Sequence, residues 1–261
     1  MKNRKYYTAD LSVMGELAEC LSYDMVNSCY YQVGRRRGEK KENLLNEHQF
    51  QINLNGKLYA SLICTPIQLT SLVIGHLSTS GIISSLEDIE WIKYNQDNTI
   101  CDVFLTDDRK SCNYTEIKTI REEPFIWEPR WIMELAEIFK HDTELHASTH
   151  GTHSCFLAKQ GKVLYVCEDI GRHNALDKAV GMAMLNGILL PDCMVYISGR
   201  VPLDMLLKVI RIKIPLIASN TVPTKQSVEL AREKEVILIG RVRPKRFIIY
   251  SDVRKDVEYG A

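Results

Sequence analysis

The chain has no apolar run approaching the roughly 20 residues needed to cross a bilayer, so it offers no candidate membrane span. It has no surplus of either charge: lysine plus arginine number 33, aspartate plus glutamate number 33, and the net charge is zero. Coating nucleic-acid phosphates takes a strong basic excess, so no nucleic-acid partner is expected, and any basic character must be local. Paired cysteine spacings are missing too. The eight cysteines, at 20, 29, 64, 101, 112, 155, 167 and 193, are scattered. They read as thiols rather than a disulfide framework, and most are expected as small apolar core residues. The opening Met1-Lys-Asn-Arg-Lys-Tyr-Tyr has charge but no apolar stretch behind it. That is unlike a secretory leader, and the expected location is the cytoplasm.

What is present divides into two rhythms. A short amphipathic helix is expected around Leu11–Leu21, and the charge run from Gly34 to Asn43 reads as a solvated turn in preference to an anion-binding loop. Apolar and polar residues alternate on both sides of Asn55-Gly56, the pattern of a β-hairpin with a type I′ turn. Its return strand is Leu58–Cys64. Thr65-Pro66 then looks like a helix start, threonine as cap and proline at the first position, and Gly81 ends that helix. Strands follow at Asp88–Asn95 and Thr99–Thr106. Residues 1–106 are thus expected to form a small α+β domain, and 107–128 an interdomain loop carrying Cys112.

Residues 129–261 read as a second, α/β domain. Pro129–Phe139 is a helix with Trp131, Leu135 and Ile138 on one side. Ser154–Lys159 and Lys162–Cys167 make a hairpin around Gln160-Gly161, and apolar residues from Ala175 to Met184 recur at helical spacing. Strands at Cys193–Ile197, Leu216–Ala218 and Val236–Ile239 alternate with helices at Leu203–Ile212 and Thr224–Lys234, and Phe247–Tyr250 closes the series. That alternation implies a largely parallel sheet flanked by helices.

Ligands in such sheets bind beyond the carboxyl ends of the strands. The segments expected there are Glu168-Asp-Ile-Gly-Arg-His-Asn, Ser198-Gly-Arg-Val-Pro, Ser219-Asn-Thr-Val-Pro-Thr and Gly240-Arg-Val-Arg-Pro-Lys-Arg. Arg172 and Arg200 stand beside glycines at helix starts, where free N–H groups already favour negative charge. Arg241, Arg243, Lys245 and Arg246 crowd one short stretch, and arginine adds a bidentate fork for phosphate. The blander alternative is internal pairing of Glu168 and Asp169 with Arg172 and Arg200, and some of that is expected. A metal site is a weaker reading of His146, His150 and His153 with Cys155, because no second Cys-x-x-Cys closes a tetrahedral set. His153 is expected instead as a hydrogen-bonding pocket wall. The strand order resembles cytidine-deaminase-like domains, whose zinc needs H/C-x-E and P-C-x-x-C. Here those places hold Cys167-Glu-Asp and Ser198-Gly-Arg-Val-Pro, so zinc deamination is rejected.

Glu168-Asp-Ile-Gly-Arg-His-Asn-Ala-Leu-Asp-Lys resembles the signature of the FdhD family, the formate dehydrogenase accessory sulfurtransferases. The likeness runs in order from about Asn55 to Tyr250. It takes in Thr65-Pro66, Gly75-His-Leu, Gly81-Ile-Ile, Thr149-His-Gly-Thr-His, Ser198-Gly-Arg, Val222-Pro-Thr and Leu238-Ile-Gly-Arg-Val-Arg-Pro-Lys-Arg. The resemblance implies a zinc-free, deaminase-like α/β/α domain behind the smaller N-terminal one. It implies a protein that accepts persulfide sulfur from a cysteine desulfurase. The sulfur then passes to a molybdenum or tungsten bis(molybdopterin guanine dinucleotide) cofactor, bound as substrate and destined for formate dehydrogenase apoprotein. A GDP-like nucleotide would mimic that substrate, and a homodimer is implied. On this reading Arg241, Val242, Arg243, Pro244, Lys245 and Arg246 form the cofactor-binding stretch. His153, Glu168, Asp169, Gly171, Arg172, His173, Ser198, Arg200, Ser219 and Thr224 complete the site.

The family presents a C-G-x-C pair on its interdomain loop. This chain has Cys112-Asn-Tyr-Thr, with Thr115 where the second cysteine would stand. Cys112 takes the carrier role by position, and Arg109 and Lys110 beside it would favour the nucleophilic thiolate. Two alternatives stay open: a module that binds the cofactor or a guanine nucleotide without moving sulfur, and a nucleotide hydrolase using His153 and Asp169.

Overall fold

A computed structural model of the chain describes residues 23–30, 38–107, 123–140 and 143–252. The expected helix at Leu11–Leu21 and the carrier segment with Arg109, Lys110, Cys112 and Thr115 lie outside these residues.

β1 (Tyr23–Tyr30) and β2 (Gly38–Leu45) form an antiparallel ribbon of their own. The solvated turn expected from Gly34 is therefore, from residue 38 onward, a strand. Its interleaved lysines and glutamates suit a ribbon with no buried residue on either strand, where alternation carries no burial signal.

β3 (His48–Leu54) and β4 (Lys57–Cys64) make the expected hairpin. Asn55 and Gly56 both take positive φ, 49° and 76°, as a type I′ turn demands. α1 (Leu69–Thr79) follows, then β5 (Ile89–Tyr94) and β6 (Ile100–Leu105), in a sheet ordered β4-β3-β6-β5 with β3 and β6 parallel. Phe50, Ile52, Cys101 and Val103 alternate onto the face that α1 covers with Leu72, Val73 and Leu77. Thr65 does not cap this helix. The cap position is Gln68, in the left-handed region with no side-chain bond, and Thr65 is fully buried with partners elsewhere.

α2 (Pro129–Lys140) and α3 (Glu144–Thr149) lead into a six-stranded sheet. Its strands are β7 (His153–Lys159), β8 (Lys162–Asp169), β9 (Met194–Ile197), β10 (Leu216–Ser219), β11 (Ile237–Arg243) and β12 (Arg246–Ser251), with α4 (Arg172–Leu185), α5 (Leu203–Arg211) and α6 (Lys225–Glu233) between them. The order is β12-β11-β10-β9-β7-β8. β9, β10 and β11 run parallel to one another; β7–β8, β7–β9 and β11–β12 are antiparallel. The largely parallel sheet expected from the helix–strand alternation is thus a mixed one. A hairpin closes each end, and helical rhythm is blind to hairpins.

Alternation along the strands divides two cores. Met194 and Tyr196 face Ile132 and Leu135 of α2, while Val195 and Ile197 face Leu176, Val180 and Leu206 from α4 and α5. This is an α/β/α sandwich. On α2 the buried residues are Ile132, Leu135 and Ala136, whereas Ile138 is exposed. α1 crosses α4 at backbone distance: a Cβ on Gly75 would sit 1.7 Å from the Asp177 carbonyl oxygen, and one on Gly181 would sit 1.9 Å from that of Ser71. Each helix offers a glycine where the other needs the space.

Candidate anion-binding edge

Because β8, β9, β10 and β11 share one direction, their carboxyl ends emerge on one edge, and β7 begins there. The four expected segments meet at that edge in a continuous run of contacts. His153 Nδ1 lies 3.0 Å from Ser198 Oγ, and the Ser154 N–H donates to the same hydroxyl at 3.0 Å. A Cβ on Gly199 would stand 2.9 Å from Arg172 Cδ, so the arginine lies flat on the glycine. Ser219 Oγ donates to the Gly199 carbonyl at 2.7 Å, and the Arg241 N–H donates to Thr221 O at 2.7 Å. Arg243 Nη1 donates to Asn220 O at 2.7 Å.

Charge accumulates there. Among the described residues, none of Arg172, Arg200, Arg241, Arg243, Lys245 and Arg246 is within ion-pair distance of a carboxylate. The internal pairing expected of Glu168 and Asp169 with Arg172 and Arg200 is not what the structure shows; both acids are committed elsewhere. Glu168 accepts from the Leu145 and His146 N–H groups at 3.0 and 2.9 Å and from the Thr143 and Thr152 hydroxyls, closing the start of α3. Asp169 is wholly buried against Lys178 Nζ at 2.6 Å. It also accepts from the Thr65 N–H and hydroxyl at 3.1 and 3.2 Å, from Gly171 N–H at 2.9 Å and from Asn174 Nδ2 at 2.8 Å. A carboxylate so enclosed cannot touch a ligand, nor can it act as the base of a hydrolase.

Three further expected contacts belong to the scaffold. Ser219 is buried and spends its hydroxyl on Gly199 and Thr221. Thr224 caps α6 by accepting from the Ser227 N–H at 3.3 Å. Val242 is buried. Arg241, Arg243, Pro244, Lys245 and Arg246 do not form a loop after a strand: β11 runs through Arg243, bulges at Gly240–Arg243 with Arg241 at φ 51°, and turns at Pro244-Lys245. The bulge is what swings this cationic hairpin onto the Asn220–Thr221 loop. His173 stands between α4 and α5, with Nε2 3.0 Å from Asp204 Oδ2 but out of line for a hydrogen bond. Burial first holds its pKa below 6.5, and the nearby cations Lys208 and Arg172 add to that.

Two polar atoms at this edge are buried and have no hydrogen-bond partner among the described residues: Arg172 Nε and Asn220 Oδ1. Buried polar atoms are nearly always bonded, so both call for a partner from outside the chain. Residue type and motif single out Ser219 and Thr224 from that segment; Asn220 emerges only when Arg243 is seen folded over its carbonyl. Gly171, which leads α4, provides no side-chain cap, and neither does Pro202 before α5. The start of α4 keeps N–H groups and positive potential for an anion, whereas the first turn of α5 holds Asp204, whose Oδ1 accepts from the Met205 N–H at 2.9 Å.

The thiols sort by burial. Desolvation raises Cys64, Cys101 and Cys167 to about 12 and Cys193 to about 11, and Cys155 is pushed well above 9.0. None of these is a thiolate at neutral pH. His146 Nδ1 is engaged with Thr152 O at 3.0 Å and His153 with Ser198. Among the described residues no group of three or more His, Cys, Asp or Glu side chains is placed to hold a metal ion.

Similar proteins bear on this edge. The model of the FdhD/NarQ family matches residues 45–256. A "sulfur carrier protein FdhD" from Bacillus subtilis is 28% identical over 237 residues, covering 81% of this chain and 89% of that protein. Its namesake from Methanothermobacter thermautotrophicus is 29% identical over 246 residues, covering 85% and 94%. A crystal structure of a protein described as a formate dehydrogenase accessory protein, from Desulfotalea psychrophila, superposes with a TM-score of 0.76 at 27% identity, covering 90% of this chain and 99% of that one. With the signature from Glu168 to Lys178 in place at the strand edge, the chain belongs to the FdhD/NarQ family.

Proposed function

We propose that this protein is a sulfur carrier that hands persulfide sulfur to a phosphate-bearing dinucleotide substrate held across the carboxyl edge. The substrate is the molybdenum or tungsten bis(molybdopterin guanine dinucleotide) required by a formate dehydrogenase. The observation that carries the reading is the set of cations from Arg172 to Arg246 on one edge that have no carboxylate partner among the described residues, with Arg172 Nε, unbonded among those residues, in the set. Several phosphates supply the missing charge and acceptors, and guanidinium groups hold them by paired, charge-assisted bonds. The sulfur-carrier names of the relatives support the carrier role.

Cys112 is the proposed carrier. Five of the eight cysteines are buried as protonated thiols, which leaves Cys20, Cys29 and Cys112, and only Cys112 stands where the family keeps its carrier. Its thiolate attacks the outer sulfur of a desulfurase persulfide; that sulfur–sulfur bond breaks, and the desulfurase cysteine leaves as thiolate. Release needs two electrons. Because Thr115 replaces the second cysteine, an external thiolate attacks the Cys112 sulfur, and the outer sulfur departs with the bonding pair as sulfide to the substrate. The resulting mixed disulfide is then reduced by a second thiol.

The test is intact-protein and peptide mass spectrometry after incubation with a cysteine desulfurase and cysteine. The expected result is one added sulfur on the peptide holding Cys112, lost in Cys112→Ser. A sulfur adduct confined to other cysteines, or none at all, removes the carrier assignment and leaves a binding module.

A further inference from the structure

We propose that His153 is a proton-coupled clamp: it is neutral until a phosphate settles beside Arg172, and then takes up a proton and donates to that phosphate. This deepens the phosphate reading above and rests on it.

The geometry is specific. His153 opens β7 at the edge, half-buried, and its Nδ1 is fixed 3.0 Å from Ser198 Oγ. That hydroxyl already accepts from the Ser154 N–H, which leaves one lone pair. It can therefore accept an Nδ1–H, so a doubly protonated ring is satisfied on this side. The other nitrogen, Nε2, makes no hydrogen bond among the described residues and is not sealed in the interior. Ser198 leads directly to Gly199, on which the Arg172 side chain lies. The imidazole on Ser198 and the arginine side chain on Gly199 thus meet consecutive residues, from β7 and from α4.

Burial first, and then the charges facing His153, set its resting state. Arg172 from α4 and His146 from α3 disfavour the imidazolium, and Asp169 from β8 favours it, but Asp169 is bound to Lys178. Burial is the largest influence, and together these hold the ring's pKa below 6.5. A phosphate beside Arg172 reverses the balance: it cancels the guanidinium's repulsion and gives Nε2–H an anionic acceptor. The pKa rises on binding, so affinity must rise as pH falls toward the ligand-free pKa and level off below it.

The test measures protons rather than activity. GDP is titrated calorimetrically into the full-length protein at pH 7, in two buffers of widely different ionisation enthalpy, and its affinity is measured at pH 6, 7 and 8. The expected result is net uptake of about 0.5 proton per GDP at pH 7 and a roughly five- to tenfold affinity gain from pH 8 to pH 6, as linkage requires. His153→Asn sets an amide where Nδ1 meets Ser198 and is expected to bind GDP with that uptake removed; subtracting it cancels any proton exchanged by the nucleotide's own phosphate. Equal proton balances in the two proteins overturn the clamp while leaving phosphate binding intact. If the variant does not fold, a flat pH profile in the wild type overturns it alone. Absence of GDP binding at every pH overturns the phosphate reading and the clamp with it.

Discussion

Lys178 and Asp169 show how a residue's chemistry can be legible while its job is not. Both sit in the segment whose resemblance identifies the family, and an acid beside arginines reads as part of the ligand site. The structure turns Asp169 inward, to Lys178 and to Thr65, a partner 104 positions away. No local pattern encodes a pairing at that separation, so the burial was invisible in the sequence. Replacing Lys178 by Met leaves a buried carboxylate without its cation, an effect of about 3–5 kcal/mol. Urea unfolding should show a lower midpoint at unchanged slope; an unshifted midpoint would return Asp169 to the solvent and to the ligand. Asp177 follows the same logic. Burial alone would raise its carboxyl, but the Lys208 ammonium and His76 outweigh it and hold the group below its ordinary 3.8. The stability it contributes is present above that value and lost as pH falls beneath it.

At the scale of elements, stereotyped turn chemistry is legible in the sequence, and structure decided by a distant partner is not. Asn55-Gly56 and Gln160-Gly161 both mark hairpins, and all four residues take positive φ. Helices α4, α5 and α6 were visible because their apolar faces repeat at helical spacing. Thr65-Pro66 misled, since a good cap at the right distance from an apolar stripe is also a good interior hydrogen-bonding residue; the deeper demand of Asp169 won. The α1–α4 crossing was not legible at all. Gly75 and Gly181 look like helix-weakening residues, each worth about 1 kcal/mol against alanine, and their value appears only when two backbones are seen in contact. Gly75→Ala should raise local helix propensity and still destabilise the protein, by about 1–3 kcal/mol or more, because its methyl meets the Asp177 carbonyl. A melting temperature at or above wild type would show that the crossing yields more easily than its distances imply.

Across the whole molecule, neutrality conceals segregation. The balance of 33 basic and 33 acidic residues leaves no global basic excess, yet the edge concentrates cations while the nearest acids are consumed by architecture. That the four segments share one edge is legible in the sequence, because strand direction alone brings them there, although Gly240–Arg243 belongs to β11 itself. Which members face outward is not legible there. Ligand binding there should therefore weaken as salt rises, since exposed guanidinium groups are screened. Arg246→Gln, on an exposed position, should reduce GDP affinity about tenfold, near 1.4 kcal/mol, without shifting thermal stability. Affinity indifferent to both salt and this substitution would move the phosphates elsewhere.

The doubled use of the stretch from Glu168 to Lys178 bears on how variants should be interpreted. Arg172 at the edge and Lys178 at the crossing are separated by less than two helical turns, yet one substitution would impair recognition and the other would loosen the framework. A growth-based mutant screen would score both simply as loss. Only when the soluble yield of each variant is recorded beside its phenotype do the two causes come apart.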